Sequence, residues 1–204
     1  VWDPTDSLHN PVGKQRLNPS GIWYTAVSGI WQTVWLEPVA KSNHIKGITT
    51  ECDITRGELY VNTACAADNC TLKIEVKDGD ALVSSATLLS GVRAVLPIKE
   101  AKLWTPDTPH LYDLTVSLIE NGKVVDSTTS YAAMREFSVE RDALGHKRMM
   151  LNGAPIFMYG PLDQGWWPDG LYTAPSDEAL MSDIVLTKEL GFNTIRKHIK
   201  VEPA

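Results

Sequence analysis

Between residues 43 and 137 the chain breaks into short runs of alternating apolar and polar residues, and this periodicity constrains the fold more than any other feature. KGITTECDIT, ELYVNTACA, TLKIEVKD, ALVSSATLL, VRAVLPIK, LYDLTVSLIE and KVVDSTTSYAA read as seven strands. A period of two puts alternate side chains on opposite faces of a sheet, so each run has one face to bury. Turn signals separate the runs: Arg56-Gly57, Asp68-Asn69, Asp78-Gly79-Asp80, Ser90-Gly91 and Asn121-Gly122. Asn-Gly between two such runs marks a two-residue hairpin, because both residues tolerate positive φ. Seven short strands over this length predict an immunoglobulin-like β-sandwich, without the Cys…Trp…Cys spacing of an antibody domain.

The flanks follow other rules. After the strand-rich stretch, EFSVERDALGHKRMMLNGAPIFMYG (136–160) reads as a hairpin turning at Asp142–Gly145 and again at Asn152-Gly153. PIFMYG (155–160) then reads as a buried strand, SDEALMSDIVLTKELG (176–191) as a helix and FNTIRKHI (192–199) as a second strand. Ser176 can N-cap the helix, Asp177 and Glu178 suit its positive first turn, and Gly191 stops it. Leu180/Ile184, Met181/Val185 and Leu186/Leu190 repeat at i, i+4. Strand, helix, strand is a βαβ unit, whose parallel strands need cover on both faces, and one unit cannot cover itself. This predicts a chain cut from a longer protein. Residues 1–42 are turn-rich, with Trp2, Trp23, Trp31 and Trp35 among Gly, Pro and Ser; WQTVWLEPV (31–39) alternates and reads as one strand. Trp2, Trp23 and Trp31 are expected to be buried between domains.

Composition removes several classes of function. With 43% hydrophobic and 22% charged residues the chain is an ordinary globular one. Its net charge of −6 argues against a nucleic-acid partner. No apolar run approaches the ~18 residues that span a bilayer. Three cysteines, Cys52, Cys65 and Cys70, leave at least one thiol free and make neither a disulfide framework nor a zinc site, with room for one bridge such as Cys52–Cys65. His44, His110 and His146 lack ligand spacing, and Lys14, Arg16 and Lys41 are too scattered for an anion site. No leader is legible; a periplasmic or secreted location is favoured over others.

Three strings then carry a resemblance. SGIWQTVWLEPV (28–39), LWTPDTPHLYDLTVSL (103–118) and LNGAPIFMYG (151–160) resemble, in order and spacing, glycoside hydrolase family 2, the β-galactosidase, β-glucuronidase and β-mannosidase group. SDEALMSDIVLTKELGFNTIR (176–196) extends the likeness over nearly the whole chain. The resemblance implies that residues 1–42 end a jelly-roll sugar-binding domain, that 43–137 are the immunoglobulin-like sandwich and that 138–204 begin a (β/α)₈ barrel. The fold class is then mainly β: a sandwich followed by a hairpin and one βαβ unit. The family implies a retaining β-glycosidase in which two carboxyls about 5–5.5 Å apart act as acid/base and nucleophile. In the family both are glutamates on later barrel strands, so they are expected beyond Ala204 and the piece alone is expected to be inactive. No cofactor is implied by the mechanism, although some galactosidase members bind Mg²⁺ and Na⁺. The implied partners are an oligosaccharide or glycoconjugate, the remaining domains and, for bare apolar faces, a second copy.

In such a barrel, function sits at the C-terminal ends of the strands. Between Gly160 and Pro168 the family's galactosidase pattern is rich in His and Glu, whereas this chain has PLDQGWW. Asp163 and Gln164 can take sugar hydroxyls, and Trp166 and Trp167 can stack on the C–H face of a ring. Packing under the barrel rim is the competing role for the two indoles. Arg196 matches the family's Asn-x-x-Arg, whose arginine supports the active-site carboxylates. His198 falls two residues after that arginine where the family's histidine falls three after, yet it shares a face with Arg196. An in-chain pair of Asp163 and Glu202 is what the resemblance speaks against. Trp104 and Tyr112 are expected in or beside the sandwich core. A non-catalytic carbohydrate-binding or adhesion module built on the sandwich is the alternative function.

Overall fold

In the computed structural model, residues 2–4 and 12–200 are described. The chain forms two compact units, one of residues 37–157 and one of residues 1–36 with 158–204. The hairpin after the strand-rich stretch lies in the same unit as the sandwich.

The second unit begins with two short strands, β1 (Gln15–Arg16) and β2 (Tyr24–Thr25), paired in parallel. Residues 31–39, expected as a strand, form none. A strand needs a partner ladder to satisfy its N–H and C=O groups, and alternation by itself supplies none. Trp2 is 90% exposed and Trp35 71%, while Trp31 is half-buried and Trp23 lies at the surface.

All seven sandwich strands are present. They are β3 (Ile45–Asp53), β4 (Glu58–Cys65), β5 (Thr71–Asp78), β6 (Ala81–Leu89), β7 (Ala94–Pro97), β8 (Tyr112–Glu120) and β9 (Lys123–Ala132). One antiparallel sheet runs β3-β4-β7 and the other β6-β5-β8-β9. Alternation sends Leu59 and Val61 of β4 and Leu96 of β7 into the same core as Leu72, Ile74 and Val76 of β5 and Leu114, Val116 and Leu118 of β8. Asn121 and Gly122 both have positive φ, the primed turn that their dipeptide encodes. Tyr112 is buried with its hydroxyl accepting from the Lys102 N–H at 2.8 Å, and Trp104 lies half-buried beneath the Arg135 guanidinium.

All three cysteines are free, which corrects the Cys52–Cys65 bridge. Cys52 stands opposite Leu59 and Cys65 opposite Ile45, at the two ends of the β3–β4 pair. That separation far exceeds the ~7 Å Cα limit for a disulfide.

The hairpin is β10 (Phe137–Arg141) against β11 (Lys147–Leu151), with a short β12 (Ala154–Pro155) beyond the Asn152-Gly153 turn. The Asp142 carboxylate accepts from the backbone N–H groups of Leu144 and His146, each at 2.9 Å, and from Arg148 Nε at 2.8 Å. These bonds, which lock the first turn, hold the Asp142 carboxyl below the usual range, Arg148 contributing most.

Residues 156–160 form no strand, contrary to expectation. Parallel pairing comes instead one step later, between β13 (Leu162–Asp163) and β14 (Arg196–Lys197). The connecting helix α1 (Asp177–Glu189) is capped as expected: Ser176 Oγ accepts from the Ala179 N–H at 3.2 Å, and Gly191 takes a positive φ of 84°. No residue of α1 is buried; Leu180, Met181, Ile184, Val185 and Leu186 are exposed. Strand, helix and parallel strand are therefore present in a rudimentary form among the described residues.

Candidate functional site

The expected site residues all fall in the unit made of residues 1–36 and 158–204, at the ends of β13 and β14. The two strands approach closely before they pair. Tyr159 N–H donates to Asn193 Oδ1 at 2.9 Å and Asn193 N–H to Tyr159 O at 3.0 Å. A Cβ on Gly160 would sit 1.5 Å from the Thr194 carbonyl oxygen, so only glycine permits this approach.

Pairing continues with Arg196 N–H donating to Pro161 O at 3.0 Å and His198 N–H to Asp163 O at 2.8 Å. Register places Asp163 beside Lys197, and Lys197 Nζ donates to Asp163 Oδ2 at 2.5 Å. The Gly165 N–H donates to Asp163 Oδ1 at 2.7 Å. Burial works to raise the Asp163 carboxyl, but these hydrogen bonds and the charges of Lys197 and Lys200 outweigh it and leave it below the usual range. An acid held ionised in this way accepts hydrogen bonds and balances cations; it does not deliver a proton at neutral pH. Glu202, its suggested partner, lies outside the described residues.

Arg196 is exposed at the strand end, and His198 is half-buried beside it. Partial burial, then the charges of Arg196 and Lys14, hold the His198 imidazole below its usual pKa. It is therefore neutral at pH 7, with one ring nitrogen to donate and one to accept.

The two indoles part company. Trp166 stacks on Tyr24, with ring centroids 4.6 Å apart, and meets Tyr172 edge-on at 5.1 Å. One of its faces is thus committed to packing. Trp167 exchanges backbone hydrogen bonds with Leu171, and its Nε1 is buried with no hydrogen-bond partner among the described residues. Gln164 Oε1 is in the same condition. A buried polar atom without a partner costs free energy, so both atoms call for a ligand, a water or a further protein group.

Several residues here escaped the sequence reading. Gln15, buried, accepts from the Val27 N–H and donates to the Tyr172 hydroxyl at 3.0 Å. Lys200 is 6% exposed; its ammonium donates to Gly165 O at 3.1 Å and lies 4.9 Å from the Trp31 ring centroid. Lys14, set aside as scattered, acts on His198. The string RKHIK (196–200) was the available signal, since alternate cations on a strand face two sides.

Two cavities adjoin these groups. One of about 480 Å³ is lined by Trp2, Asp3, Gln15, Trp31, Tyr172 and Thr173 among others. The other, about 450 Å³, lies between the strand pair and α1 and includes Leu162, Gln164, Trp166, Leu186 and Phe192. Indoles, a neutral imidazole, cations and an ionised carboxylate suit the C–H faces and hydroxyls of a sugar.

Comparison with known proteins bears on this chemistry. The family described as "Glycosyl hydrolases family 2" matches residues 33–135, half of the chain. A putative β-glucuronidase of Formosa agariphila is 29% identical over 178 residues, covering 82% of this chain and 21% of the relative. A β-galactosidase of Bacteroides ovatus is 26% identical over 217 residues, covering 96% of this chain and 24% of the relative. Among solved structures, a β-glucuronidase from Ruminococcus gnavus in complex with C6-substituted uronic isofagomine superposes with a TM-score of 0.66. The identity there is 16%, with 76% of this chain and 26% of the other covered, which is a likeness of fold. The chain thus spans about a quarter or less of the curated relatives it matches. On the strength of the match across the sandwich, this chain belongs to glycosyl hydrolases family 2.

Proposed function

We propose that the longer protein is a retaining β-glycosidase acting on oligosaccharides or glycoconjugates, and that residues 138–204 open its catalytic barrel. The observation that carries this reading is the parallel pairing of β13 and β14 across α1. It gathers Asp163, Gln164, Trp167, Arg196 and His198 at the strand ends, where barrels of this kind bind substrate. In this reading Arg196 steadies an ionised carboxylate supplied by later sequence, and His198 and Gln164 take sugar hydroxyls. Trp167 offers its N–H, while Trp166 shapes the rim from within its stack. The acid/base and nucleophile are glutamates on later strands, so the 204 residues alone are inactive.

The test is to assay the 204-residue chain and the full-length protein side by side on aryl β-glycosides. The full-length protein is expected to turn over with retention at the anomeric carbon, and the short chain to show none. Turnover by the pure short chain, abolished by Asp163→Ala, would overturn the assignment of the carboxylates. The alternative, a carbohydrate-binding module on the sandwich, draws on a concavity of about 480 Å³ lined by Glu51, Trp104, Tyr131 and Arg135. Arg135 lies 4.5 Å over the Trp104 ring and occupies the face a sugar needs, so the glycosidase reading is preferred.

A further inference from the structure

Lys200 is 6% exposed, and a lysine is rarely buried unless its charge and its donors are met. Its ammonium donates to Gly165 O at 3.1 Å and lies 4.9 Å from the Trp31 ring centroid and 5.6 Å from that of Tyr172. These partners come from three separate stretches of one unit: the loop after β13, the segment after β2 and the turn at 170–173. The chain leaves β14 by an unusual route. Ile199 has φ 76°, a left-handed conformation that a β-branched residue keeps only where its surroundings impose it. Gly13 packs against it, a Cβ there standing 2.6 Å from Ile199 Cγ2. Lys200, the next residue, reaches back to the loop that follows β13.

In that loop Gly165 is buried and held through both of its peptide groups. Its N–H donates to Asp163 Oδ1, and its C=O accepts from Lys200. Gln164 precedes it, and Trp166 and Trp167 follow. Trp166 meets Tyr172 edge-on, so the ring that faces the ammonium also braces this indole. Gln164 Oε1 and Trp167 Nε1, both buried without a hydrogen-bond partner among the described residues, belong to residues on either side of this one held glycine.

We infer that Lys200 is a positioning residue: its ammonium, seated between Gly165 O and the rings of Trp31 and Tyr172, fixes the loop that presents Gln164 and Trp167 to the sugar. The sugar as ligand rests on the glycosidase reading; the clamp rests on the contacts alone. Both the donor and the charge are needed, the one for the carbonyl and the other for the ring faces. Arginine keeps both and stacks on aromatic rings, whereas methionine keeps only the apolar stem. A lysine that merely fills space would tolerate methionine.

The experiment compares wild type, K200M and K200R of the 204-residue chain by hydroxyl-radical footprinting, with Trp104 of the sandwich as the internal reference. In K200M the oxidation of Trp166 and Trp167 is expected to rise roughly fivefold, as loss of one hydrogen bond allows, and in K200R to stay near the wild-type level. Trp104 is expected to react equally in all three. K200Q, shorter and uncharged, is expected to behave as K200M and replaces it where K200M does not fold. In the longer protein, K200M is expected to raise KM for an aryl β-glycoside roughly tenfold with kcat little changed, because the loop serves ground state and transition state alike, and K200R to restore KM. The inference fails if the neutral variants leave Trp166 and Trp167 as protected as in wild type, if Trp104 is exposed with them, or if KM is unmoved in an active K200M enzyme. A wild-type enzyme without turnover would count against the glycosidase reading instead, and the footprint would still decide the clamp.

Discussion

Cys65 carries a consequence for stability. Its thiol is raised from 9.0 to about 11 in the fold, so the folded state keeps a proton that the unfolded chain loses first. Stability from this group is complete below pH 9 and is lost as the pH climbs toward 11. Denaturant midpoints of the reduced chain across that window are expected to fall more steeply than those of Cys65→Ala; parallel curves would remove the effect. At this same scale the sequence was a partial guide. Asp163 was legible as a polar group at a strand end, but its partner Lys197 was not, because the register of two separate strands is set by their pairing. Trp166 read equally well as a platform or as packing; only Tyr24, far away in sequence, decided that one ring face is taken.

Local elements were read more securely than their partners. Strand alternation and turn chemistry are written within a few residues of one another, so β3 to β9 and the Asn121-Gly122 turn follow from the chain itself. The same holds for α1, where Ser176 Oγ satisfies an N–H that the first turn leaves open. Ser176→Ala is expected to lower stability of that helix by about 1 kcal/mol, read as a loss of helical ellipticity on heating. An unchanged melting curve would mean that the cap is idle. The two expected strands flanking α1 fared worse. Their apolar runs encode burial, whereas strand length depends on neighbours; parallel pairing falls just after the first run, at Leu162–Asp163, and takes only Arg196–Lys197 of the second.

For the molecule as a whole, burial separates the two units. The sandwich encloses fifteen core residues drawn from both sheets and the connecting loops. Residues 37–157 alone are therefore expected to unfold in one cooperative step under denaturant; a gradual, non-cooperative loss of signal would contradict this. Met181 and Ile184 of α1 and its C-cap Leu190 are instead between 60% and 65% exposed.

By itself the sequence determined the mainly β character, the sandwich strands, the capped helix and the family, because each rests on residues near one another in the chain or on an ordered set of motifs. Tertiary structure alone decided the Asp163–Lys197 pair, the Tyr24–Trp166 stack and the buried ammonium of Lys200. The physical reason is that periodicity says which face of an element is buried, while the identity of the group lying against that face is fixed only when distant elements pair and pack.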